Sequence, residues 1–291
     1  MFFTACTKDL EYDFEDTEPK VVVISCVEPD SPIKLRITYS RFFLSTAPFR
    51  IVDNAEVGLR VNGAESGAAV SFSDGYYTID YRPQPGDRLD LTVQVPSYGT
   101  LSASTVVPSM VNVSDLRTVK RIDEDGDTWH TLRFTLHDPA DEDNYYFIRI
   151  VRYEEYEGQR FNYYYDYFSC NDPLLSSTPD IGNILDNIDG GNASEWEGNL
   201  LYFPDDNIAG RDHEVELTLE AYSYQSDWNY QLEVTSFSRD RYLYEVTTDL
   251  YSDDVVEALF SEPVQIHHNV SGGIGIFAAR SRSYFDIPFL P

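Results

Sequence analysis

Positive charge is what this sequence has least of. Only 21 of its 291 residues are Lys or Arg, against 50 Asp or Glu, and the formal net charge is −29. A chain this acidic repels phosphate backbones and anionic headgroups, which argues against nucleic acid as a partner. Cysteine is also scarce, with three residues and no Cys-x-x-Cys pair, so zinc and thioredoxin-type redox chemistry find no support. No apolar run reaches the roughly 18 residues of a membrane-spanning helix. There is no Gly-x-Ser-x-Gly elbow and no His-x-x-x-His pair. Gly272-Gly273-Ile274-Gly275 lacks a following Lys-Ser/Thr and leads into a strand pattern; a phosphate loop needs a helix there. These glycines are expected in a tight turn or bulge.

Aromatic residues, by contrast, are plentiful: 22 Tyr, 17 Phe and 3 Trp in a chain that is 42% hydrophobic. That composition builds cores and excludes an acidic disordered chain. At about 100 to 200 residues per domain, the length predicts two.

The periodicity is β nearly throughout, and the expected class is all-β. Ile33, Leu35, Ile37 and Tyr39 alternate with polar residues, as do Ala55 to Val61 and Leu89 to Val95. Asn62-Gly63, Asp74-Gly75 and Pro85-Gly86-Asp87 mark turns between such runs. Residues 20–108 therefore read as an immunoglobulin-like β-sandwich. Pro108 is the expected boundary, and residues 109–291 read as a larger β-sandwich domain with one short helix. Tyr145 to Tyr153 is apolar on both faces and predicts a central strand. The helix is expected over Arg239 to Tyr251, with Ser238 as N-cap and Tyr242, Val246 and Leu250 on one face. Residues 170–199, rich in Asn, Asp, Gly, Ser and Pro, predict a long loop.

Residues 1–19 carry an address. Phe3-Thr4-Ala5-Cys6 has the small residues before cysteine that a lipoprotein signal peptidase requires, so Cys6 is the candidate lipidation site. Met1 is read as an internal or mis-assigned start, with the apolar signal stretch missing. Thr7 to Pro19 holds six acids and reads as a self-repelling tether. Contact with the membrane is expected through the lipid anchor only.

Few residues suggest chemistry. Asp123-Glu124-Asp125-Gly126-Asp127 lacks the Gly and Glu positions of an EF-hand and reads as a solvated turn. His267 and His268, adjacent in an expected strand, point to opposite faces and do not share a metal. No metal, cofactor or catalytic residue is assigned. With 50 carboxylates some pair falls about 5 Å apart by chance, so glycan hydrolysis stays a weaker alternative. Phe161 to Phe168 is the most unusual segment. Tyr163, Tyr164, Tyr165 and Tyr167, with Trp196 at the far end of the loop, form the candidate binding surface. Cross-strand packing of the same rings is the competing reading.

Taken together these motifs resemble one family, the Bacteroidota lipoproteins catalogued as domain of unknown function 4249. The likeness rests on Thr4-Ala5-Cys6, on Ala55-Glu56-Val57 running to Val61-Asn62-Gly63, and on Ala103 to Pro108. It continues through Asn144-Tyr145-Tyr146 to Phe260-Ser261-Glu262-Pro263-Val264 and Asn269-Val270-Ser271-Gly272-Gly273-Ile274-Gly275-Ile276-Phe277. Cys26 departs from it, where a glycine is expected. The resemblance implies a lipid-anchored outer-membrane protein, exposed at the cell surface, that accompanies a TonB-dependent receptor in nutrient uptake. It supplies no catalytic residues. An adhesive or structural surface module is the alternative.

Overall fold

Alternating runs become strands, and the turn residues between them set how the strands pair. The computed structural model describes residues 18–42, 45–122, 128–175, 196–220, 228–253 and 265–288. The first eight strands are β1 (Val21–Val27), β2 (Ile33–Tyr39), β3 (Glu56–Val61), β4 (Ala64–Glu65), β5 (Val70–Ser73), β6 (Tyr76–Ile79), β7 (Arg88–Val95) and β8 (Gly99–Val106). Strands β1, β2, β6 and β5 lie side by side and face β4, β3, β7 and β8. Lettered A to G, this is the A-B-E-D on C′-C-F-G order of an immunoglobulin-like sandwich. Asn62 and Gly63, at φ 51° and 83°, form the β3–β4 turn; two successive left-handed residues match the twist of a tight hairpin.

The second sandwich begins with β9 (Asn112–Ile122), β10 (Thr128–His137), β11 (Tyr145–Tyr156) and β12 (Gln159–Asp166). It continues with β13 (Phe168–Cys170), β14 (Trp196–Gly198), β15 (Leu201–Pro204), β16 (Asp212–Glu220) and β17 (Asn229–Phe237). Helix α1 (Arg239–Asp253) and β18 (Ile274–Asp286) close the chain. One sheet runs β14-β13-β16-β10-β9; the facing layer runs β12-β11-β17-β18, with β15 on the β12 side of β11. Leu132, Phe134, Tyr146, Ile148, Phe203 and Leu217 fill the space between them.

Strand β18 joins the two units. Its first half pairs parallel to β1, from Val22↔Ile274 to Val27↔Ala279. Its second half pairs antiparallel to β17, from Phe237↔Arg280 to Gln231↔Asp286. One nine-stranded sheet therefore passes through both sandwiches. Val107 is buried in the first core and Val111 in the second, and β18 crosses between them: Val270, Phe277 and Ala279 are buried in the first core, with Val23, Leu35 and Leu101. Ser281 and Ser283 hydroxyls donate to the carbonyls of Pro108 and Val111, fastening the connecting segment to β18. Close approach is possible because residue 275 is glycine. At φ 121° a Cβ there would lie 2.0 Å from the Val23 carbonyl oxygen.

The half-strand stagger of β18 sets a long axis. Lys20, where the chain enters β1, lies at the end away from the second sandwich. The Glu157-Gly158 hairpin between β11 and β12 lies at the opposite end.

Helix α1 packs Tyr242 and Val246 against Phe147 and Phe237 on the outer face of the large sheet; the Leu250 side chain lies outside the described part. The Ser238 carbonyl accepts the first helical hydrogen bond from Tyr242, at 3.0 Å. Its hydroxyl accepts from the Ala279 N–H at 3.0 Å, tying the helix start to β18. Three local expectations are corrected or fall outside. His267 and His268 are in irregular backbone, not a strand: the His267 N–H donates to Thr247 Oγ1 of α1 at 2.9 Å in place of a ladder bond, and its Nε2 is 2.8 Å from Asp240 Oδ1. The loop over 170–199 is narrower than its composition suggests, since Cys170 pairs with Trp196 across β13 and β14. Asp123 to Asp127 lie outside the described residues.

Candidate functional site

Strand β12 carries the tyrosines because β11 turns back on itself at Glu157-Gly158. Among the described residues it is the last strand of the large sheet and pairs with β11 alone. Tyr163, Tyr164, Tyr165 and Tyr167 are 57%, 48%, 49% and 68% exposed. The period of two divides them. Tyr163 and Tyr165 lie on the outer face with Arg149 and Tyr153 of β11; Tyr164 lies on the other. Tyr167 follows β12 in the link to β13.

Arginines order the outer face. The Arg149 guanidinium carbon is 4.6 Å from the Phe147 ring centre and 4.5 Å from that of Tyr165. Arg160 lies 4.5 Å over Tyr153, whose ring centre is 5.9 Å from Tyr163. Such stacking holds each ring by roughly 0.5–1 kcal/mol at an exposed position. The result is a preordered aromatic surface with cationic edges, able to stack on sugar rings or apolar side chains.

On the opposite face, Tyr164 meets Trp228 edge to face at 5.4 Å, and Arg152 sits 5.2 Å from both rings. Arg152 Nε is 3.1 Å from Asp166 Oδ1. Asp166 is 4% exposed, and its Oδ2 has no hydrogen-bond partner among the described residues. Burial pushes the Asp166 carboxyl up to about 6, against the opposing pull of Arg152. Burial likewise raises Tyr230, to about 12.

The sequence signal for Arg149 and Arg152 is two cations inside the apolar run of β11. Trp228 has no such signal, since it lies just before β17, 64 residues after Tyr164 in the chain. The backbone of Trp196 pairs with Cys170, but its side chain lies outside the described part, as does all of Cys6. Cys26 and Cys170 are both free.

Two other places bring polar groups together. A cleft of 460 Å³ lies where the sandwiches meet, lined by Arg88, Val106, Glu142, Tyr145, Arg239 and Asp240 among others. Its charges are of mixed sign. On the outer face of the second sandwich, the Ser114 hydroxyl is 2.8 Å from His137 Nε2, and His137 Nδ1 is 2.6 Å from Asp212 Oδ1. These residues sit on three adjacent strands, 23 and 75 residues apart, which is why spacing did not reveal them. The Asp212 side chain is 72% exposed, whereas a catalytic triad buries its carboxylate. The row continues as Arg117–Glu214 and Arg133–Glu216, so it reads as a cross-strand polar ladder.

Residues 7–284 match the family model described as "Domain of unknown function (DUF4249)". No curated protein matches the chain. Among solved structures, one described as manganese lipoxygenase of Gaeumannomyces graminis with part of zonadhesin of Komagataella pastoris is 10% identical. It covers 75% of this chain and 88% of its own, with a TM-score of 0.16, which carries no argument about fold or function.

Proposed function

The chain belongs to the family described as domain of unknown function 4249, and from that premise we propose a surface-exposed outer-membrane lipoprotein. In this reading it is a non-enzymatic binding component of a TonB-dependent nutrient-uptake system, anchored through Cys6. The observation that carries it is the exposed tyrosine face of β12. It lies toward the end of the long axis opposite the point where the tether enters at Lys20. An anchored protein of this shape holds its ordered aromatic surface away from the bilayer, where nutrient arrives.

Full-length protein recovered from its own envelope is expected to bring a β-barrel receptor with it. Tyr163→Ala with Tyr165→Ala should reduce that recovery at least about tenfold, the loss expected for two exposed aromatic anchors, with thermal unfolding unchanged. Recovery without any barrel, or recovery unaffected by the variants, removes the reading. Labelling of Ser114 by a serine-hydrolase probe would remove its non-enzymatic part. The staggered sandwiches also suit an adhesive spacer; pilus-subunit genes beside this one would favour that reading, and a receptor gene would favour uptake.

A further inference from the structure

Between Asp30 and Asp53 the sequence holds Lys34, Arg36, Arg41 and Arg50 and no carboxylate, a local charge of +4 in a chain of −29. The fold brings part of this segment to the end of the first sandwich where the tether enters. Lys20 and Ser40 exchange hydrogen bonds: the Ser40 N–H donates to the Lys20 carbonyl at 2.7 Å, and the Lys20 N–H donates to Ser40 Oγ at 2.9 Å. Residues 50–52 bond back to β2 through Tyr39 and Ile37 and continue the line of β6. Ile51 sits beside the Asp74-Gly75 turn.

Large apolar side chains crowd this end without being buried. Phe42, Phe49, Ile51 and Tyr76 are 41% to 49% exposed. Arginines lie among them. Arg41 is 4.3 Å over the Phe49 ring, Arg50 3.7 Å over Tyr39, and Arg36 5.9 Å over Tyr76. Exposed aromatics interleaved with cations form the surface that settles into a headgroup layer, with rings at the acyl boundary and guanidinium groups on phosphates.

We propose that this tether-side end of the first sandwich rests on a bilayer surface bearing phosphate headgroups of net negative charge. The contact adds to the lipid anchor, which the sequence reading made the sole link to the membrane. The proposal rests on the surface-lipoprotein reading for its setting, not for its chemistry. The fourteen residue steps from Cys6 to Lys20 span at most about 50 Å when extended, so an anchor at Cys6 leaves this end within reach of the membrane. The opposing net charge does not cancel the contact. At about 0.15 M salt, exposed charges more than roughly 8 Å away are largely screened, so the carboxylates of the second sandwich do not act at this end. Arg36, Arg41 and Arg50 are opposed there by Asp74 and by the acids of the tether, of which Glu18 is two residues from Lys20, and the interleaved rings supply the rest of the contact.

The test uses the full chain carrying Cys6→Ser, so that no acyl group contributes. It is mixed with vesicles of phosphatidylcholine alone or with an equal part of phosphatidylglycerol. Co-sedimentation is expected with the anionic vesicles and not with the neutral ones. Arg41→Gln with Arg50→Gln should weaken it at least about tenfold, as two lost headgroup cations imply, and so should Phe49→Ser alone. Arg133→Gln, on the second sandwich, should leave it unchanged. Absent binding, or equal binding by all variants, overturns the proposal. So does self-association of the unmodified surface that Phe49→Ser abolishes, which would make this end a contact between copies. Failure of acylation at Cys6 would be seen separately, in labelled full-length protein, and would not alter the vesicle result.

Discussion

Gly275→Ala is expected to cost about 4 kcal/mol or more and to disturb both sandwiches together. A left-handed φ alone costs a non-glycine residue roughly 1–3 kcal/mol. The added Cβ would also stand 2.0 Å from the Val23 carbonyl oxygen, inside any real contact distance. Relief requires β18 to move off β1, breaking parallel ladder hydrogen bonds worth about 1 kcal/mol each. It would also lift Phe277 and Ala279 out of the first core. Chemical denaturation with fluorescence should show a lower midpoint in a single shared transition. A loss below about 1 kcal/mol, within the range of ordinary surface substitutions, would mean that β18 does not join the units as described.

The second large effect concerns pH. The Asp166 carboxyl is raised to about 6 because it is buried, with Arg152 only partly offsetting the cost. In the unfolded chain an aspartate titrates near 4. Between these values the folded state holds the proton more tightly, so the stability this group contributes is full below about pH 4. It is lost as pH rises through about 6, by roughly 2–3 kcal/mol in all. Burial raises Glu28 and Asp87, but the hydrogen bonds and charges of Arg282 and Arg280 at the first and the hydrogen bonds from Gln84, Tyr81 and Asn62 at the second leave both lowered, so these two work in the opposite direction. The difference between the protein and Asp166→Asn isolates the site. The variant, measured against the parent from pH 4 to pH 7, should gain about 2 kcal/mol in relative stability. Parallel curves would contradict the burial of Asp166 beside Arg152.

Much of this fold was legible in the chain. Asn62-Gly63 and Asp74-Gly75 each put two left-handed residues where hairpins require them, and the runs around them alternate with period two. The start of α1 followed from Ser238 and its packed face from the spacing of Tyr242 and Val246; the helix runs to Asp253, past the expected Tyr251. What could not be read was pairing at long range. Ile274 to Ala279 looks like any apolar strand, and nothing local says that it lies parallel to Val22–Val27, about 250 residues earlier. Of the glycines expected in a turn or bulge, Gly272 is in a turn at φ 80°, while Gly273 and Gly275 also make room for that pairing. The candidate surface divides in the same way. The tyrosines of β12 are visible as a cluster, and their alternation between faces follows from strand geometry. Arg149, Arg160 and Trp228, which order the rings, come from cross-strand contacts that no spacing encodes. The basic segment from Lys34 to Arg50 was hidden by the global count, since a net charge of −29 averages over it.

The measurement that bears most directly on the proposed role is acylation at residue 6. Full-length protein made in its own envelope would be labelled metabolically with an alkyne fatty acid, fractionated, and compared with Cys6→Ala. The account predicts label on the parent protein and none on the variant, with the variant washed from the membrane fraction by high salt while the parent stays. A Cys6→Ala protein that remains acylated and resists the salt wash would contradict it.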